Sequence, residues 1–203
     1  AQLLANIGDE NGNTALSIAA QAGDTKLVKA LLAVQASVDV KNLKAETPLM
    51  LAVENGHMPV AQVLVNAGAC VDTTKEQDGM TMLMTSASMG RTDIMQRLIS
   101  VKANVKATDN DLKTALHFAA AHGGSDCVEV LVAAHADVDA QNNDGRSALA
   151  VASSRGHLDA LNSLIAAKSS VDAQDKHGQT ALMHAIDAAC TQALVDGGAQ
   201  LDI

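Results

Sequence analysis

Apolar residues recur at steps of three and four along five stretches of the chain: Val28, Leu31 and Leu32; Val60, Val63 and Leu64; Ile94, Leu98 and Ile99; Val128, Leu131 and Val132; and Leu158, Leu161, Leu164 and Ile165. That spacing places them on one face of an amphipathic helix. Ahead of each stretch lies a shorter segment with a compact pair near its end: Ala19-Ala20, Ala52-Val53, Ser86-Ala87, Ala119-Ala120 and Ala152-Ser153. Small side chains there predict another helix, one that approaches its neighbour closely. A glycine follows each pair, at Gly23, Gly56, Gly90, Gly123 and Gly156. It suits a helix C-terminus, where a left-handed backbone is cheap only without a Cβ. The predicted order is turn, helix, loop, helix, extended hairpin, then the same again.

The repetition is strict. Thr14, Thr47, Thr81, Thr114, Ser147 and Thr180 stand 33 or 34 residues apart, and each opens a version of one phrase, such as Thr14-Ala-Leu-Ser, Thr47-Pro-Leu-Met or Thr114-Ala-Leu-His. Thr or Ser at that place is a good N-cap, because its hydroxyl accepts an orphan backbone N–H. The two prolines, Pro48 and Pro59, fall at predicted helix starts, where a missing N–H costs little. Most units close with an apolar-acidic pair: Val38-Asp39, Val71-Asp72, Val138-Asp139 and Val171-Asp172, with Val105-Lys106 as the variant. Turns rich in Asn, Asp and Gly lead into the next unit. A period of this length describes an array of one small unit, stabilised by neighbour contacts and expected to form one elongated cooperative body.

Asp9 to Gly23, with its Asp-x-x-Gly-x-Thr-Ala-Leu core, and Asn66-Ala-Gly-Ala-Cys-Val-Asp72 are similar to the two halves of the ankyrin repeat. The resemblance covers roughly residues 6–203. It implies an all-α ankyrin-repeat α-solenoid of about six helix–loop–helix units joined by β-hairpin loops. The array is expected to fill 1–203, with units near 9–41, 42–75, 76–108, 109–141, 142–174 and 175–203, and 1–8 as the tail of a preceding unit or a cap. Departures are local: Ala45 and Leu112 replace the turn glycine, and only His117 keeps the family's histidine in the Thr-x-x-His phrase.

Composition narrows the function. With one Phe, no Tyr and no Trp, the core must be Ala, Leu, Val, Ile and Met, which suits tightly stacked helices. Met50, Met84 and Met183 share one place in the phrase and read as core. The net charge, 14 − 23 = −9, with no basic cluster, argues against nucleic acid and anionic lipid as partners. No run is long enough to span a bilayer, so direct membrane insertion is not expected. Cys70, Cys127 and Cys190 form no short pair, which favours a reducing compartment, cytoplasmic or nuclear.

The register also accounts for the histidines. His57 and His157 follow the inter-helix glycine and read as loop structure, and His117 should bond near Thr114. His117 and His122 are five apart, off the spacing that puts two ligands on one helix face. No nucleophile elbow, phosphate loop or Cys-x-x-Cys occurs, so neither catalysis, metal nor cofactor is expected.

The resemblance implies a binding scaffold whose contacts lie on the hairpin tips and the exposed side of the first helices. Carried over by register, the candidate partner-binding residues are Leu43, Glu46, Glu54, Asp78, Met80, Met89, Lys113, His122, Arg146 and Arg155. Leu43, Met80 and Met89 would form a central apolar patch. Acidic positions (Glu10, Glu46, Glu54, Asp78) dominate the first half of that surface. Basic ones (Lys113, His122, Arg146, Arg155, Lys176, His177) dominate the second, a polarity that would orient a charged partner.

The leading expectation is a non-catalytic scaffold for a protein or peptide. The alternatives are a regulatory or targeting domain of a larger enzyme or membrane channel, and a spacer that self-associates. The pattern is about five residues short between Leu4 and Asn6 and about four short between Asp187 and Cys190, and Leu201-Asp-Ile203 resembles the start of a further hairpin. Loss of four loop residues would fuse two helices, so missing residues are expected there, in a segment of a longer array.

Overall fold

The computed structural model describes residues 6–74 and 77–201 of the chain. Expectations placed on residues 1–5 and 202–203 lie outside the described residues. Eleven helices occur among those described. They are α1 (Ala15–Gln21), α2 (Thr25–Ala33), α3 (Pro48–Glu54), α4 (Met58–Asn66), α5 (Met82–Ser88), α6 (Thr92–Ser100), α7 (Ala115–His122), α8 (Ser125–Ala133), α9 (Ala148–Arg155), α10 (Leu158–Ala166) and α11 (Ala188–Asp196). The chain divides into two compact units, Ala1–Met82 with Ser100–Ala103, and Leu83–Ile99 with Asn104–Ile203.

The helices begin and stop for the reasons the phrase predicts. Thr14, Thr47 and Ser147 each accept a backbone N–H three residues on, from Ser17, Met50 and Ala150 at 3.2, 3.3 and 3.3 Å. Gly23, Gly56, Gly90, Gly123 and Gly156 all have φ between 68° and 99°, the left-handed turn that ends a first helix. In the first unit α1 packs on α3 and α2 on α4, burying Leu16, Val28, Leu49, Val60 and Leu64 completely. In the second, α7 packs on α9 and α8 on α10, around Val128, Leu131, Leu149, Leu161 and Leu164, and α11 closes on α10. Each of these leucines and valines brings about 1.5–3 kcal/mol of hydrophobic burial.

The expected β-hairpin loops are not present: the fold is all-α, with no strand among the described residues. Two isolated antiparallel bridges occur among those residues, Thr74 to Thr81 and Gln141 to Ser147. The physical reason lies in the tips. Asp9, Asn42, Asp109, Asn142 and Asp175 each turn a side-chain oxygen onto the backbone N–H groups two and four residues later; Asn142 Oδ1, for example, accepts from Asp144 at 2.9 Å and Arg146 at 3.0 Å. A side chain therefore takes the donors that a strand ladder would use. Further tip hydrogen bonds run sideways to the next unit: Leu43 N–H donates to Asn11 O at 2.9 Å, Asn143 to Asp111 at 2.8 Å, and Lys176 to Asp144 at 2.9 Å.

Ala45 and Leu112 keep this turn without glycine, at φ 59° and 58°, where the other tips have Gly12, Gly79, Gly145 and Gly178. An L side chain there costs about 1–2 kcal/mol. Leu112 is 48% exposed, so its side chain recovers little of that by packing. Leu112→Gly should therefore stabilise the domain by about 1 kcal/mol, read as a higher urea midpoint at unchanged slope.

The acidic residue that closes a unit has a defined task at three places. The Asp39 carboxylate accepts Cys70 N–H at 3.1 Å, Asp139 accepts Ser170 at 2.7 Å, and Asp172 accepts Gln200 at 2.9 Å, each bond tying one unit to the next.

The last unit is shortened within its first helix. From Thr180 to the N-cap Asp187 is 7 residues, against 10 from Ser147 to His157. The deficit is about one helical turn, and the helix collapses to a turn over residues 181–184. No fusion results, because Asp187 Oδ1 accepts Cys190 N–H at 2.7 Å and starts α11 afresh. Met50 and Met84 are buried, as their shared place implies. Met183 is not. It is 52% exposed, because its helix is gone.

Candidate functional site

The tips and first helices of the segments 109–141 and 142–174 enclose a cleft of about 240 Å³. Lys113, Asp144 and Arg146 line it from the tips, His117, Phe118 and Ala121 from α7, and Val151, Ser154 and Arg155 from α9. The Asx turns of Asp109 and Asn142 set the backbone positions of Lys113 and Arg146 directly, since each oxygen holds that residue's own N–H. Arg155 reaches back from the end of α9, donating from Nη1 to the Ala121 carbonyl at 3.0 Å.

Three cations meet in this cleft. The Lys113 ammonium lies 2.8 Å from Asp111 Oδ2, and Arg146 Nε lies 3.5 Å from Asp175 Oδ2. The hydrogen bond to Asp111 raises the Lys113 pKa against the opposing effect of burial, with Asp109 and Asp144 adding to the rise. The Asp175 side chain is 1% exposed. Burial would raise its pKa, but N–H groups from Gln179 and His177 and the His184 ring, 2.9 Å away, outweigh it and hold the carboxyl well below the usual range.

His117 joins the two segments. Thr114 N–H donates to its Nδ1 at 3.1 Å, so Nε2 carries the proton and donates to the Arg146 carbonyl at 3.0 Å. Burial lowers its pKa; the Arg146 carbonyl and Asp109 oppose that shift without cancelling it. An unfolded imidazole takes up its proton near pH 6.5, and the folded one only at lower pH. The contribution of His117 is thus complete above about pH 6.5 and is lost as pH falls toward the folded value. Urea midpoints should drop as pH falls below about 6.5, and His117→Gln should flatten that slope whatever it does to stability at neutral pH.

Lys113, Arg146 and Arg155 are thus the candidate residues that share one cavity. Leu43 stands at a tip, 79% exposed, and Met89 is 41% exposed at the end of α5. Met80 is half-buried and its N–H donates to exposed Asp78. Glu46 is occupied within its own tip, accepting from Asn42 Nδ2 at 2.8 Å. Glu54 is half-buried at the end of α3. The His122 ring lies against Gly90, where an added Cβ would collide with it. His57 and His157 do the same over Gly23 and Gly123, their Nε2 atoms 3.0 and 3.1 Å from the Gln21 and Ala121 carbonyls. At the position equivalent to those histidines, the unit of His122 has Gly124, and the ring comes instead from two residues earlier.

Phe118 and Val151, which line the cleft, escaped the register reading because it took only the last residues of each first helix. The available signal was the place four residues after the phrase-opening Thr or Ser, occupied by Ile18, Leu51, Thr85, Phe118, Val151 and His184. Cys127 and Cys190 are buried and Cys70 is exposed. Burial, reinforced by Asp187, pushes the Cys190 thiol up to about 11. Among the described residues, no group of His, Cys, Asp and Glu is arranged to hold a metal, and no helix is long and apolar enough to cross a membrane.

The profile of the family "Ankyrin repeats (3 copies)" matches residues 1–75, 71–142 and 124–203. Over 107 residues the chain is 36% identical to a transient receptor potential cation channel subfamily A member 1 homolog of Caenorhabditis elegans, covering 53% of this chain and 9% of that protein. Over 113 residues it is 32% identical to human neurogenic locus notch homolog protein 1, covering 56% of this chain and 4% of that one. The chain thus spans less than a tenth of the curated relatives it matches. Among solved structures, the human ASB11 ankyrin repeat domain superposes with a TM-score of 0.86 at 23% identity, over 97% of this chain and 88% of that one. The Bcl-3 ankyrin repeat domain gives 0.87 at 23%, over 94% and 86%. With profile matches running from one end to the other and a fold shared with these domains, the chain belongs to the ankyrin-repeat family, a class of non-catalytic binding scaffold.

Proposed function

We propose that this domain holds a segment of a partner protein against its tips and first helices, with the cleft of Lys113, Arg146 and Arg155 as the principal seat. The observation that carries this reading is the cleft itself: about 240 Å³ of concave space with cations on its walls and Phe118 and Val151 beside them. Concave sites in which fixed polar groups stand beside apolar side chains are where ligands are oriented. Leu43 and Met89, both exposed, are further contacts on the same class of surface.

A benzophenone amino acid at Ser154, inside the cleft, should cross-link a partner from cell extract, and excess unlabelled domain should compete it away. The same amino acid at Asp159, exposed on α10, should yield no competed adduct. Equal labelling from both positions would remove the assignment.

A second reading has support from the comparisons. The curated relatives are long proteins, among them a cation channel homolog, of which the matched part is a small fraction. The domain then serves as the regulatory or targeting module of a larger enzyme or channel, with the same cleft engaging a segment of that protein or of its regulator.

A further inference from the structure

We infer that the cleft takes an acidic segment of a partner protein, a carboxylate seated on Arg155 and a neighbouring aliphatic side chain set against Phe118 and Val151; this rests on the cleft being the partner seat. The three cations differ in how far their charge is already answered. Lys113 has Asp111 at 2.8 Å and Arg146 has Asp175 at 3.5 Å. Arg155 is exposed, gives one N–H to the Ala121 carbonyl, and has no carboxylate within ion-pair distance among the described residues. A guanidinium carries five donors in a fixed fork, which suits bidentate capture of a carboxylate.

Charge elsewhere sharpens the choice. The chain carries −9 overall, so an acidic partner is repelled by most of the surface. At the cleft Asp111, Asp144 and Asp175 answer Lys113 and Arg146, which leaves Arg155 as the cation that favours a carboxylate. The apolar side of the cleft sets the second requirement. Phe118, the one Phe of a chain without Tyr or Trp, is half-buried on α7, and Val151 is half-buried on α9. A bare anion would leave that floor wet, and a purely apolar ligand would cover Arg155 without answering its charge, which is costly. An acidic residue next to Leu, Ile or Val answers both.

The test uses the whole chain and short Gly/Ser peptides with Leu-Glu-Glu-Leu, Leu-Gln-Gln-Leu or Leu-Lys-Lys-Leu at the centre, followed by methyl NMR. The glutamate peptide should bind about tenfold tighter than the glutamine one, move the Ala121 and Val151 methyl signals, and leave those of α8 and α10 in place. Arg155→Glu, at an exposed position, should leave the helical signal unchanged and invert the order in favour of the lysine peptide. Equal binding of the first two peptides, an order that survives Arg155→Glu, or shifts scattered beyond α7 and α9 would each overturn the proposal. Competed cross-linking at Ser154 together with any of those results would show that the seat is right and the occupant wrong. Loss of the cross-link would remove both.

Discussion

Gly123→Ala should destabilise the domain by about 3 kcal/mol, among the larger losses available from a single added methyl group. Two costs combine. The backbone at Gly123 has φ +99°, outside what an L residue adopts freely, and that strain is worth about 1–2 kcal/mol. The new Cβ would also stand 2.7 Å from Cγ and Nδ1 of His157, a ring whose Nε2 is held 3.1 Å from the Ala121 carbonyl. Displacing it forfeits about 1 kcal/mol of hydrogen bonding and adds the overpacking. Gly178→Ala is the matched control: φ is +72° and nothing lies within 4 Å of the added carbon, so only the backbone cost, about 1 kcal/mol, remains. His157→Ala in the Gly123→Ala background should recover part of the loss, a coupling that a double-mutant cycle in urea would measure. Equal costs at Gly123 and Gly178 would mean that the ring contact contributes nothing.

Asp175→Ala should cost a similar amount, about 3 kcal/mol. The carboxylate is the hub of the last tip: Oδ1 holds the N–H groups of His177 and Gln179, at 2.9 and 3.0 Å, while Oδ2 faces His184 at 2.9 Å and Arg146 at 3.5 Å. Removing it strands donors that were paired with a buried charge. Asp175→Asn keeps an oxygen for the two backbone groups and should cost about 1 kcal/mol. Because the carboxyl pKa is depressed in the folded chain, its contribution is present above the ordinary carboxylate value of 3.8 and is lost as pH falls below it. Acid unfolding of Asp175→Asn should therefore be shallower than that of the parent below about pH 4.

The helix pairs were legible because each rule that placed them is local. Thr14, Thr47 and Ser147 cap, Gly23 to Gly156 terminate, and the three- and four-residue apolar steps face inward. Strands were wrongly expected because Val-Asp pairs flanking an Asn/Asp/Gly turn have the composition of a hairpin. What decides between ladder and Asx turn is where one side-chain oxygen points. The letters were visible, an Asp or Asn five places before Thr14, Thr47, Thr114, Ser147 and Thr180, but their bonds were not. Register put Lys113, Arg146 and Arg155 on this surface but passed over Phe118 and Val151, because it took only the last residues of each first helix. The i, i+4 spacing to His122 and Arg155 is the signal that places them on the same face. His122 was read as a surface charge, and its coverage of Gly90 is a relation between neighbouring copies that no single copy displays.

The Asx turn has an evolutionary corollary. One carbonyl or carboxylate oxygen at Asp9, Asn42, Asp109, Asn142 or Asp175 dictates the course of the four residues after it through backbone groups alone. The letters at Leu43 and Lys44, Asn143 and Asp144, or Lys176 and His177 can therefore be rewritten without reshaping the loop that displays them. New specificities become reachable by single substitutions at nearly constant foldability, so a lineage carrying this scaffold can explore partners one side chain at a time.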